Sequence, residues 1–446
     1  MFFLRSNRSR ELVRWLGSAG FSESSIMSPL SWLALVLFAL IYTALAIGRV
    51  PGLRIDRAGI ALVGATVMLV CGLVSFEQAF SPQCINYEAL VLLFGMMVLV
   101  GVLRLSGFFE QIVAWTQTLI ASPRMLLAWT IGLSGVLSAF LVNDIVCIAL
   151  TPLLLRLTRR LGYDPLPHLL GLATAANIVS SATITGNPQN IIIGIHSRIA
   201  YARFTSRLLP VALVGMLIAY VLLSLLYRHR LVPQPARQRE AEPASSAPQS
   251  AAHTGLRNKA MLVGLATVGL FFLLPSQHLA LIALAAASVL LLGRVQPAKI
   301  YRQVDWTLLL MFAGLFIVVY TFRLHVVETW DIPRWSWLLA RPVDLLSLVS
   351  VGLSNLVSNV PAVLLLQPVV EAMPAGSQET AWLALAMSST LAGNLTVLGS
   401  VANLIVVEAA RREGEEVTFL EYARVGVPLT VLTLLVGVAW LMWVPY

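Results

Sequence analysis

Two short segments place an asparagine between long apolar runs, and their polar side chains are candidates for binding chemistry. The segments are residues 137–145 and 353–361, and Asn143 and Asn359 hold the same position in them. An amide both donates and accepts hydrogen bonds, so it can satisfy backbone groups where a chain turns inside a membrane. Both segments therefore predict the tip of a re-entrant helical hairpin.

Asp144 is the only charged residue between positions 125 and 155, and the second segment has Val360 in its place. A carboxyl group inside the bilayer is costly and commonly functional. Because burial favours the neutral form, Asp144 could carry a proton, or its charge could complete a sodium site. The alternative is a structural role, in which Asp144 caps the second arm of the hairpin.

Two further segments interrupt apolar spans with residues that break helices. Residues 176–190 and 391–403 both contain glycine, serine, threonine and asparagine, and the first also contains Pro188. A break frees carbonyl oxygens that can hold a cation, and the N-terminus of the next half-helix favours an anion. Two tips and two breaks together predict one central binding site. The alternative is that these small residues only allow close helix packing.

The composition excludes several other classes of protein. Of the 446 residues, 58% are apolar and 11% are charged, whereas about 25% are charged in a typical soluble domain. Long uncharged runs predict a polytopic integral membrane protein. The net charge of +9 includes no basic block, so nucleic acid is not an expected partner. The three cysteines lack metal-ligand spacing and no hydrolase signature occurs, so neither a metal centre nor an enzyme is expected.

The second half of the chain repeats the first with small shifts in spacing. The matched pairs include Gly95–Gly314 at 219 residues, Asn143–Asn359 at 216 and Gly186–Gly399 at 213. The predicted organisation is an N-terminal polar or amphipathic segment at 1–28, a first repeat at 29–227, a proline-rich linker at 228–259 and a second repeat at 260–446. The hairpins are expected at about 125–156 and 336–373, and the broken helices at about 166–196 and 380–410.

The number of crossings in each repeat determines its orientation. Each repeat is expected to cross the membrane five times. Because this number is odd, the second copy is inverted relative to the first. The predicted fold class is an all-α polytopic membrane protein with two inverted five-crossing repeats, each with a re-entrant hairpin and a broken transmembrane helix, giving about 10 transmembrane helices and 2 hairpins. The loop charges favour an N-terminus outside the cell, whereas the arginines of residues 1–14 favour a cytoplasmic one.

These motifs resemble the ion transporter superfamily, which includes ArsB arsenical pumps, NhaD sodium/proton antiporters, citrate transporters and divalent anion–sodium symporters. The resemblance rests on Asn143-Asp144, on residues 150–152, on residues 185–190 and on residues 358–361, and it extends over about residues 30–445. It is strongest to the YbiR-like anion permease branch. The resemblance implies a scaffold domain, a transport domain that moves as an elevator, a homodimer, and coupling to Na⁺ or H⁺.

The resemblance also implies site residues, motif by motif. Cation coupling would involve Ser138, Asn143, Asp144, Gly186, Asn359 and Gly399. The substrate would lie between the tips, against Asn143, Asp144, Thr183, Asn187, Ser358, Asn359, Asn394 and Thr396. The sodium-coupled dicarboxylate members carry Ser-Asn-Thr at both tips, and this chain departs from that pattern. The departure counts against sodium coupling and a dicarboxylate, and the Asn-Asp pair, similar to ArsB, favours proton coupling.

The sequence therefore predicts a secondary active transporter, an anion permease of the inner (plasma) membrane that moves a small inorganic or organic anion by alternating access. No cofactor is expected beyond a coupling ion, H⁺ or Na⁺, and the expected partners are the substrate, the lipid bilayer and a second copy of the chain. Within this class the alternative is ArsB-type efflux of arsenite or antimonite with H⁺ antiport. From another class, the alternative is a passive anion channel.

Overall fold

The computed structural model describes residues 28–47, 55–232, 254–293, 295–327 and 341–444. Within these ranges the chain forms α-helices and short 3₁₀ turns without a strand, which confirms the all-helical fold. Residues 1–27 of the predicted N-terminal segment, most of the predicted linker, and residues 336–340 of the second predicted hairpin lie outside the described ranges.

The first half provides the helices of the first predicted hairpin and the first predicted broken helix. In chain order the helices are α1 (Pro29–Ile47), α2 (Arg57–Val70), α3 (Phe76–Ala79), α4 (Tyr87–Leu105), α5 (Phe108–Leu119), α6 (Pro123–Phe140), α7 (Asn143–Leu161), α8 (Pro165–Ser180), α9 (Pro188–Ser197) and α10 (Tyr201–Leu226). The predicted hairpin consists of α6 and α7, which are connected by a two-residue loop. The predicted broken helix consists of α8 and α9.

The second half has its longer helices in the same order. They are α11 (Thr254–Leu273), α12 (Leu279–Leu291), α13 (Pro297–Tyr301), α14 (Trp306–His325), α15 (Asp344–Val357), α16 (Asn359–Glu371), α17 (Ala375–Ala392), α18 (Val401–Arg412) and α19 (Phe419–Trp443). Helices α15 and α16 form the second predicted hairpin, and α17 and α18 form the second predicted broken helix. Because α11 begins at Thr254, the last residues assigned to the linker are helical.

Several helices are long and apolar enough to cross a bilayer. Among the described residues, seven helices meet this requirement: α1, α4, α6, α10, α11, α14 and α19. Helices α2, α12, α15 and α16 are apolar but shorter. This arrangement is that of a multi-pass membrane protein.

Local sequence sets where the helices near the breaks begin. The side chains of Ser122, Asp164 and Asn187 each accept a backbone N–H bond from the first turn of α6, α8 and α9, and a proline follows each of them. A proline fits the first helical position because the N–H it lacks would have no partner there. The capping oxygens satisfy other free donors of the first turn.

The chain divides into two compact units. The first comprises described residues within 1–85 and 311–334, and the second those within 86–310 and 335–446. In the first unit the ring of Phe38 stacks on Tyr42 and Phe322, with centroids 4.1 and 3.9 Å away. The second unit contains both predicted hairpins and both broken helices. All predicted site residues therefore lie within one unit.

A close helix contact recurs in the two units at matched positions. In the second unit, a Cβ added at Gly95 of α4 would lie 2.6 Å from the Ala283 carbonyl carbon of α12. In the first unit, a Cβ added at Gly314 of α14 would lie 2.8 Å from the Ala61 carbonyl carbon of α2. Only glycine allows two backbones to approach so closely. The pair matched by the sequence repeat thus makes equivalent contacts.

We expect Gly95→Ala to lower the free energy of unfolding by about 1–3 kcal/mol, because α4 and α12 must separate to hold the methyl group. The matched control is Gly132→Ala in α6, where a Cβ meets no atom within 4 Å. That control should be neutral or stabilising by up to about 1 kcal/mol, since alanine favours helix. Thermal unfolding in detergent measures both, and equal melting temperatures would contradict the close contact.

Candidate functional site

The first hairpin tip is attached directly to the first break. Helix α6 ends at Phe140, α7 begins at Asn143, and the Asn143 backbone N–H donates to the Gly186 carbonyl at 3.0 Å. A Cβ at Gly186 would collide with the Ser180 carbonyl oxygen, so this position requires glycine. The Thr183 hydroxyl donates to the Ala139 carbonyl in the last turn of α6. Hairpin and break therefore form one packed element.

The second tip has a strained backbone. Ser358 alone separates α15 from α16, and it has φ 79° and ψ 160°, a conformation that favours glycine. A non-glycine residue held there costs about 1–3 kcal/mol. The Asn355 Nδ2 donates to the Ala392 carbonyl at 3.1 Å, which joins this tip to the second break. A Cβ at Gly399 would lie 2.9 Å from the Gly393 carbonyl oxygen.

A cluster of four asparagine side chains, the amide cluster, joins the first tip to both breaks. Its centre is Asn177, near the end of α8, which is 1% exposed. The Asn177 Nδ2 donates to the Oδ1 atoms of Asn394 and Asn403, both at 2.9 Å. The Asn177 Oδ1 accepts from Asn143 Nδ2 and Ser400 Oγ, both at 3.0 Å. All four hydrogen-bonding positions of this buried amide are used.

One asparagine bridges each break in the same way. Its side-chain Nδ2 donates to carbonyl oxygens that the interrupted helix would otherwise leave free. The matched contacts are Asn190 with Ser180 (3.1 Å) and Thr183 (2.9 Å), and Asn403 with Gly393 (2.7 Å) and Thr396 (3.1 Å). Each residue of the first set lies 213 positions before its counterpart in the second set.

The contacts between the two breaks occur in pairs, and the residues of one contact are the repeat equivalents of the residues of the other. Asn177 corresponds to Thr390, Asn187 to Ser400 and Asn190 to Asn403 in the repeat. The first pair of contacts is Asn187–Thr390 (3.2 Å) and Asn177–Ser400 (3.0 Å). The second pair is Asn190–Thr390 (3.5 Å) and Asn177–Asn403 (2.9 Å). Two elements related by a two-fold axis make each contact twice, because a contact between two residues is repeated by their equivalents in the other element. The breaks therefore meet about a local pseudo-two-fold axis.

Oxygen atoms without a hydrogen-bond partner among the described residues lie in both hairpins at matched positions. They are the Ser138 Oγ and Asn143 Oδ1 in the first hairpin, and the Ser354 Oγ and Asn359 Oδ1 in the second. All four residues are at most 9% exposed. A buried acceptor without a partner is rare and indicates an ion or water that completes its contacts. Each hairpin therefore holds two buried oxygens of the type that hard cations bind.

The structure brings some of the predicted site residues into contact with the amide cluster or the breaks and leaves others without such side-chain contacts. Asn143 and Asn394 belong to the amide cluster, and Asn187 contacts the second break. Asp144 lies half-buried in the first turn of α7, where its carboxylate has no hydrogen bond or ion pair to the described residues. Thr396 contributes its main-chain oxygen, which accepts from Asn403.

The predicted site residues do not include Asn177, Thr390, Ser400 and Asn403, which hold the two breaks together. The repeat contains a signal for them, because they form matched pairs with one another or with Asn187 and Asn190. Their roles depend on which helices face each other across the local axis. That information is three-dimensional.

An all-helical multi-pass protein with paired broken helices has the plan of a membrane transporter. The sequence profile of the citrate transporter family matches residues 33–392. The chain belongs to this family. Membership agrees with the resemblance to the ion transporter superfamily drawn from the tip and break motifs.

Similarity to named transporters extends over most of the chain. The silicon efflux transporter LSI3 of Oryza sativa is 30% identical over 90% of this chain and 96% of its own length. A transporter named arsB from Dictyostelium discoideum is 26% identical over 86% of this chain and 87% of its own. The solved YdaH transporter of Alcanivorax borkumensis has a TM-score of 0.52, with 18% identity over 93% of this chain and 97% of that chain, which shows a shared fold.

We expect Asn177→Asp to destabilise the protein by about 1–3 kcal/mol for each of the two donated bonds that it removes. The substitution keeps the shape of the side chain but directs carboxylate oxygen at the Oδ1 atoms of Asn394 and Asn403. Thermal unfolding in detergent is the measurement, with the exposed Asn258→Asp as the matched control. Equal unfolding temperatures for the two variants would contradict the central position of Asn177.

Proposed function

We propose that this protein is a secondary active transporter of the plasma (inner) membrane that moves a small anion or oxyanion, coupled to Na⁺ or H⁺. The observation that carries the proposal is the set of matched, buried, unpartnered oxygens at Ser138 and Asn143 and at Ser354 and Asn359. Neutral oxygen ligands of this kind suit Na⁺. Asp144, at the start of α7, is the group that would carry a proton instead.

The proposed substrate follows from the donors around the two breaks. Helices α7, α9, α16 and α18 all begin at a tip or a break, and helix N-termini favour negative charge. The side chains there are amides and hydroxyls, which suit the oxygens of an oxyanion or of its hydroxylated acid. Efflux of arsenite or antimonite with H⁺ antiport is the second candidate, supported by the tip Asn143-Asp144 and by the similarity to arsB.

The proposal includes elevator-type alternating access and a homodimer, both implied by the family resemblance. It excludes a passive channel, which shares tip and break motifs but cannot move an anion against its gradient. Uphill flux driven by an opposing ion gradient separates the two classes. Silicic acid joins the test substrates because the rice relative is named a silicon efflux transporter.

In proteoliposomes, we expect sulfate, succinate, citrate, arsenite or silicic acid to be moved uphill by a Na⁺ or a pH gradient. Asn143→Ala and Asn359→Ala should each weaken the apparent affinity for Na⁺ by about tenfold or more, because each removes an oxygen ligand. The control is the exposed Asn258→Ala in α11. Anion flux that runs only downhill would refute coupling, and normal Na⁺ dependence in both tip variants would refute the matched cation sites.

We expect Asp144→Asn to abolish flux driven by a pH gradient if Asp144 carries the proton, because the amide cannot release one. Flux driven by Na⁺ should persist in this variant, since the oxygens at the tips remain. The control is Asp56→Asn, where the carboxylate caps α2 by accepting from Gly59 and asparagine caps equally well. Full proton-driven uptake by Asp144→Asn would assign the proton to another group.

A further inference from the structure

Three serines follow one buried face of α15, the first arm of the second hairpin. Ser347, Ser350 and Ser354 are 3%, 0% and 1% exposed, and their spacing of three and four residues places them on one face of the helix. Within the part of the chain that the structure describes, none of their hydroxyl oxygens has a hydrogen-bond partner. We call this set the serine file.

The lack of partners distinguishes these serines from other buried serines of the same unit. A serine inside a helix commonly donates to the carbonyl four residues before it, as Ser388 does to Ala384 at 2.6 Å. In the first hairpin the counterpart of Ser350 is Ser134, which donates to the Ile131 carbonyl at 3.3 Å. The counterpart of Ser347 is Ile131 itself, so the file belongs to the second hairpin alone.

The inner end of the serine file reaches the second tip. Helix α15 ends at Val357, and beyond Ser354 the Oδ1 atoms of Asn355 and Asn359 are also unpartnered. At 1.5 Å per residue, Ser347 and Ser354 lie about 10 Å apart along the helix. Five unpartnered oxygen atoms therefore lie between the first turn of α15 and the tip that holds Asn359.

The N-terminal end of the file lies at a groove between α15 and α19 that is lined mainly by leucine and valine side chains. The groove has a volume of about 440 Å³, and Ser347 lines it together with Leu348, Val351 and Leu435. Arg341 and Asp344 also line the groove, and their side chains form an ion pair there. Because the two charges compensate each other, this ion pair adds no net charge to the groove.

We propose that the serine file is a hydrated path along which water and Na⁺ pass between this groove and the second hairpin tip. Hydroxyl oxygens without a protein partner are completed by water or by a cation, and five such oxygens in sequence replace part of the hydration shell of a moving ion. The path rests on the proposed Na⁺ coupling for the identity of its ion. Its access to water is independent of that coupling.

The test is the reactivity of single cysteines with a membrane-impermeant, positively charged methanethiosulfonate reagent. Ser347→Cys, Ser350→Cys and the matched control Ser388→Cys are placed in a Cys71→Ser background, since Cys71 is exposed while Cys84 and Cys147 are buried. We expect the two file positions to react at least about tenfold faster than Ser388→Cys. Added Na⁺ should slow the reaction at both.

Reaction no faster than at Ser388→Cys would overturn the path, whether or not Na⁺ drives transport in the flux assay. Fast reaction that Na⁺ does not slow would overturn passage of Na⁺ along it. Because transport is measured separately, failure of the path and failure of the coupling are distinguished. As a second measurement, Ser350→Ala should slow Na⁺-driven flux about tenfold, and Ser350→Thr, which keeps the hydroxyl, should restore it.

Discussion

Inside a bilayer, every backbone polar group needs a hydrogen-bond partner from the protein. An interrupted helix leaves several backbone groups at the break without a partner in the helix itself. Here one asparagine at each break takes over that task. Asn190 and Asn403 each direct their Nδ2 at two carbonyl oxygens of their own break. The rest of the site depends on this closure, because it holds the half-helices in place where each break contacts its hairpin.

The amide cluster extends the same solution across the local two-fold axis. Asn177 uses both donors and both acceptors of its side chain on partners from the first tip and the second break. Because all four hydrogen-bonding positions of this buried amide are used, a displacement of Asn177 would leave its partners unsatisfied, and the contacts fix one arrangement. Against this background the unpartnered oxygens at Ser138, Asn143, Ser354 and Asn359 are selective exceptions, and they are the positions at which a cation would complete the structure.

The two hairpins are alike in plan and different in detail. The first has Asp144 at its tip and a partnered Ser134, whereas the second has Val360, a strained Ser358 and an unpartnered Ser350. The two hairpins share a helical arrangement but differ in the side chains at their tips, so the two tips can have different roles within one site.

The sequence by itself determined the all-helical membrane fold, the matched tips at Asn143 and Asn359, and the paired breaks that contain Gly186 and Gly399. These follow from apolar length, from helix-breaking residues and from a repeat that is readable along the chain. Only the tertiary structure decided that Asn177 is the centre of the amide cluster, that Asp144 stands apart from it, and that Ser347 and Ser350 lack partners. Such facts depend on which faces of distant helices meet, and helix periodicity specifies the buried face of a helix but not its partner.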